Sequence, residues 1–89
     1  MQIHIRLNRD SAYWGEWGND LDRAQEVYAE ALEARVRETY PSARVEVEIG
    51  SRSDTVLTGV ELGDEVEILT LLSGIAQDEY GNGNWRDEV

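Results

Sequence analysis

Residues 44–62, RVEVEIGSRSDTVLTGVEL, decide how this chain folds. RVEVEI alternates strictly, with Val45, Val47 and Ile49 pointing one way and Arg44, Glu46 and Glu48 the other. Period two marks a strand with one buried face. GSRSD, residues 50–54, has the composition of a turn. TVLTGVEL, residues 55–62, then reads as another strand, with Val56, Thr58, Val60 and Leu62 sharing the core face and Leu57 and Gly59 on the open one. Two strands so closely joined predict an antiparallel hairpin.

Upstream, QIHIRL at residues 2–7 alternates in the same way, placing Ile3, Ile5 and Leu7 against the core and Gln2, His4 and Arg6 outside. A polar connector follows over Asn8–Asp20; it includes YWGEWGND, and Gly15 and Gly18 argue against a helix there. Asn19 or Asp20 can cap a helix whose apolar positions, Leu21, Ala24, Val27, Tyr28, Ala31, Leu32 and Val36, fall at steps of three and four. Pro41 ends it near Thr39. Downstream, Asp64 stands three residues before Glu67, a capping-box-like start to a second helix. That helix carries Val66, Leu69, Leu72, Ile75, Ala76 and Tyr80 at helical spacing, with Gly81 as its C-cap and 81–89 as a loop-like tail.

The order β-α-β-β-α predicts an α+β fold in a single domain, 1–89. Two helices with one apolar stripe each, and three strands with one apolar face each, are satisfied by a two-layer sandwich. Both helices then lie on one face of a three-stranded sheet. The expected strand order is 1-3-2, with the third strand central, and 1-2-3 is the alternative. The free edges of so small a sheet leave homodimerisation open.

Composition excludes several classes of function. The 89 residues hold 19 Asp+Glu against 8 basic residues, for a formal net charge of -11. Direct contact with a nucleic-acid backbone needs the opposite sign. The absence of Cys excludes disulfides, thiolate catalysis and cysteine-ligated metals, and a single His excludes a His-rich metal site. No run is apolar and long enough to span a bilayer, and MQIHIRLNRD lacks the apolar core of a signal peptide, so the cytoplasm is the expected location. His4, the sole imidazole, lies on a strand facing out, and no nucleophile elbow accompanies it. Asp78–Val89 imitates a calcium loop at Asp78, Asn82 and Gly83, but Tyr80 and Val89 fail two ligand positions. No catalytic, cofactor or metal residues are therefore assigned.

Two features stand out. The first is acid. Between Arg52 and Arg86 there are seven acidic residues and no basic one. Asp22, Glu26 and Glu30 are like-charge neighbours at i,i+4 on the first helix, each pair costing a few tenths of a kcal/mol. Glu33 extends that row, and Glu65 and Glu67 begin the second helix. Carboxylates on successive turns lie ~6 Å apart, a loose match to phosphates rising ~3.4 Å per step. The second feature is aromatic: Trp14 and Trp17 in the connector are candidate anchors for a protein partner, and Trp85 sits in the tail.

In size and charge, and in no sequence motif, the chain resembles the small anti-CRISPR and anti-restriction inhibitors of phages. That likeness implies a non-catalytic acidic protein that engages a basic protein surface, such as that of a nucleic-acid-binding complex, as an inhibitor or nucleic-acid mimic. The expected partner-binding residues are Asp22, Glu26, Glu30, Glu33, Glu65, Glu67, Trp14 and Trp17. The alternative is a homodimeric structural or assembly module whose acid serves solubility alone.

Overall fold

The computed structural model describes residues 1–10, 14 and 20–89, apart from the Glu88 side chain. Strand β1 (Gln2–Asn8) is followed by helix α1 (Leu21–Thr39), strands β2 (Arg44–Gly50) and β3 (Asp54–Thr58), helix α2 (Leu62–Asn82) and a short 3-10 helix (Asn84–Glu88). The fold is α+β: a three-stranded mixed sheet carrying both helices on the face of Ile3, Ile5 and Leu7.

The strand order corrects the sequence reading. It is β2-β1-β3, so β1 is central and neither 1-3-2 nor 1-2-3 holds. β1 pairs with β2 in parallel, Ile3 opposite Val45, and with β3 in antiparallel fashion, Ile3 opposite Leu57. No β2–β3 hairpin forms. Instead, residues 51–53 carry the chain past the end of β1, where Asn8 N donates to Ser53 Oγ and Arg9 N to the Gly50 carbonyl. Four Cα steps reach up to ~14 Å, enough to cross two interstrand gaps of about 4.8 Å each.

Charge explains the preference. Arg6, on the open face of β1, sits opposite Glu48 of β2 and Asp54 of β3. Its guanidinium grips Asp54 through two bonds of 2.6 and 2.7 Å. A central β3 would keep Asp54 beside Arg6 but would also align it with the strand carrying Glu46 and Glu48, where like charges repel.

The same bond sets the face of β3. With Asp54 on the open side, period two carries Val56 there too, 43% exposed, and turns Leu57 toward the core. This reverses the expected face assignment. β3 also ends early: Gly59 takes φ 74, a left-handed turn that removes Val60 and Leu62 from the strand.

Helix α1 has the expected bounds, with Asp20 at its N-cap, but the Asp20 side chain makes no capping hydrogen bond. Its buried stripe includes one residue outside the apolar pattern: Gln25, 2% exposed, donates to the Arg9 carbonyl over 2.8 Å and ties the connector to the helix. Helix α2 starts earlier than expected. Glu61 is its N-cap and makes no side-chain bond, so the Asp64 capping box is not used. Leu72 and Ile75 are buried, whereas Leu62 and Val66 in the first turns are 88% and 73% exposed.

The tail also departs from expectation. Gly81 lies inside α2, and the C-cap is Gly83. A Cβ at Gly83 would fall 2.5 Å from the Glu79 carbonyl oxygen, so only glycine allows this close return. The 3-10 helix then folds Trp85 into the core at 3% exposure, where its indole donates to the Glu79 carbonyl over 2.7 Å. Trp14, Tyr28, Tyr80 and Trp85 form one aromatic cluster with centroids 5.1–5.8 Å apart, largely edge-on or tilted. Tyr28 is fully buried and donates to the Ala76 carbonyl, joining the helices.

If the tail is part of the core, Trp85→Ala should cost ~3–5 kcal/mol in urea denaturation, with circular dichroism as the readout. A loop-like tail would leave the midpoint unchanged.

Candidate functional site: an acidic groove beside helix α1

The outer side of α1 repeats acid every turn because Asp22, Glu26, Glu30 and Glu33 follow the helical period away from the buried stripe. α1 packs over β2, and the pleat of β2 turns Val47 and Ile49 toward it. Between them lies an open groove of about 520 Å³ lined by Arg9, Asp22, Gln25, Glu26, Ala29, Glu30, Glu33, Val47 and Ile49. Its wall is acidic and its floor apolar. Among the residues lining it, four carboxylates face a single guanidinium, that of Arg9. Glu33 also lies 3.6 Å from Arg37 one turn on.

The fold therefore brings together four of the eight residues singled out from the sequence. Glu65 and Glu67 are on the first turns of α2 and line no part of this groove. Trp14 is corrected outright: at 2% exposure, with its indole donating to the Asn8 carbonyl over 2.8 Å, it is core and offers no surface to a partner. Trp17 lies outside the described residues. The groove's other members were missed. Val47 and Ile49 carried a strand signal, but nothing local says that a helix leaves them half covered. Arg9 and Gln25 are far apart in sequence and meet only through their hydrogen bond in the folded chain.

A second acidic group behaves differently. Arg35 of α1 reaches Asp78 over 2.6 Å and Glu79 over 3.2 Å on α2. The Asp78 carboxyl is held below its usual range, first by the hydrogen bond from Arg35 and then by that from the Asn82 amide, with the charge of Arg35 adding to both. The guanidinium of Arg35 is held correspondingly higher. These acids are neutralised within the fold and strap the two helices, unlike the row on the groove.

No protein-family model matches this chain, and no curated protein matches it in sequence. Among the described residues, no helix is long and apolar enough to cross a membrane.

A carboxyl with a depressed folded pKa adds stability above the ordinary carboxylate pKa and loses it as pH falls through the folded value. Asp78→Asn should therefore melt below the parent protein at neutral pH. The gap should close on acidification through the carboxylate range, as followed by thermal melts at stepped pH. A gap that stays constant with pH would contradict the assigned ion pair.

Proposed function

We propose that this protein is a non-catalytic acidic binding protein that engages a basic protein surface, acting as an inhibitor or nucleic-acid mimic. The observation that carries this reading is the row of Asp22, Glu26, Glu30 and Glu33 along one groove with an apolar floor. A face built for solubility alone would intersperse signs. This row accepts like-charge repulsion at i,i+4 on the exposed side of a helix. Arginine or lysine side chains of a partner would meet the carboxylates, and their aliphatic stems would lie on Val47, Ile49 and Ala29. A cleft shaped for a phosphate backbone supplies such cations, and opposite fields would steer the encounter. The groove's few convergent groups are acids with no imidazole among them, which supports binding rather than catalysis.

The reading is tested with Glu26→Lys/Glu30→Lys. Affinity for a fluorescent Arg-rich peptide, read by anisotropy, should fall about tenfold or more, and binding by the parent should weaken steeply between about 50 and about 500 mM NaCl. The melting temperature should hold or rise slightly, since Asp22 and Glu33 each gain an opposite charge beside them on the helix while positions 26 and 30 stay like-charged. Affinity indifferent to salt and to both substitutions would overturn the reading.

A second reading, a homodimeric assembly module, is favoured by Leu62 and Val66, which stand exposed on α2, and by the free outer edges of β2 and β3. Light scattering after size exclusion separates the two. A dimer that becomes monomeric in Leu62→Asp/Val66→Asp supports the module, and a monomer at all concentrations removes it.

A further inference from the structure

The face of the sheet that carries no helix holds the one constellation of mixed donor chemistry among the described residues. His4 projects from the central strand, Glu46 stands directly across from it on β2, and Glu48 follows two residues along on the same face. One imidazole nitrogen and one oxygen from each carboxylate all lie within 4.8 Å of one another. Because the strands are hydrogen-bonded in register, the three Cα positions are fixed by the sheet rather than by a loop.

The imidazole supplies an independent observation. His4 Nε2 is closed off from solvent and lies 3.1 Å from Glu48 Oε1, an ion-pair contact that does not meet hydrogen-bond geometry. A shielded ring nitrogen without a well-aligned hydrogen bond costs free energy unless something accepts its lone pair or its proton. His4 faces out from the strand, as its sequence position suggests, yet this atom is shielded. The neighbouring cation is already committed, since Arg6, which faces Glu48 across the strands, is drawn to the other side by its paired bonds to Asp54. Each of the two glutamates has a carboxylate oxygen within 4.8 Å of a His4 ring nitrogen.

We propose that His4, Glu46 and Glu48 form a binding site for a divalent transition-metal ion of the zinc class. A nitrogen donor favours zinc, nickel or copper over calcium and magnesium, which prefer oxygen throughout. Metal bonds of about 2.0–2.2 Å place tetrahedral donors roughly 3.3–3.6 Å apart. The side chains would therefore close in by about an ångström, within the reach of glutamate rotamers on an exposed face. Three protein donors leave a fourth position for water or for a donor from another molecule. The site is on the opposite face of the sheet from the α1 groove, so it stands or falls separately from the proposed function.

The test uses the full chain, freed of metal, near neutral pH. Zinc chloride is titrated by calorimetry beside calcium and magnesium chloride, and the ring signals of the sole histidine are followed by NMR. The expected result is one zinc site, a shift of the His4 ring resonances that saturates at one equivalent, and affinity lowered about tenfold or more in His4→Gln and Glu48→Gln. Glu26→Gln/Glu30→Gln, in the groove, should bind zinc as the parent does. The proposal is overturned if the ring signals of the unmodified protein do not move, if His4→Gln binds zinc unchanged, or if calcium and magnesium give the same heat as zinc. The NMR arm needs no variant, so a misfolded substitution cannot mask the answer.

Discussion

The ion pair of Arg6 with Asp54 sets the plan of this molecule. It fixes β3 beside β1, while Glu48, across from Arg6 on β2, is turned to His4; with β1 between them, Asp54 and the two glutamates of β2 are kept apart. A part-exposed ion pair is worth little as stability alone. Its weight here is in choosing among arrangements that bury similar apolar area. From that choice follow the strand order, the crossing of residues 51–53 past the end of β1, and the face on which each β3 side chain falls.

The core is then closed from the opposite end. A chain of 89 residues with no Phe and no Cys has few means of filling a two-layer interior. Tyr28 is the hub, in ring contact with Trp14, Tyr80 and Trp85 and bonded to the Ala76 carbonyl. Arg86 closes the cluster, donating to the Tyr80 carbonyl with its guanidinium 5.0 Å from the Tyr80 ring centre. Each buried indole has its N–H satisfied by a main-chain carbonyl, which is what permits such large polar-tipped rings inside.

Charge is distributed unevenly over what remains outside. On the open sheet face and between the helices, acids meet Arg6, Arg35 and Arg52 within the fold. Along α1 they line a groove in which carboxylates outnumber the guanidinium of Arg9. The net charge of -11 is therefore partly spent on internal pairing and partly displayed. The display lies over an apolar floor that includes Val47 and Ile49.

The sequence by itself determined the fold class, strands β1 and β2 and the bounds of α1, though not the end of β3 or the start of α2. Alternation in QIHIRL and RVEVEI, the stripe from Leu21 to Val36, and the break at Pro41 are local patterns, and each is dictated by the period of its own element. The sequence also placed Asp22, Glu26, Glu30 and Glu33 on one side of α1, because that row is a property of the helix alone. Strand order, the face of β3 and the folding-back of Trp85 were decided only in three dimensions. Each rests on a partner far along the chain or on another element: Asp54 for Arg6, Tyr28 for the indole of Trp85, β2 for the floor beneath the acids. Likewise, no spacing rule brings His4 of β1 to Glu46 and Glu48 of β2; the parallel register of two strands separated by a whole helix does so.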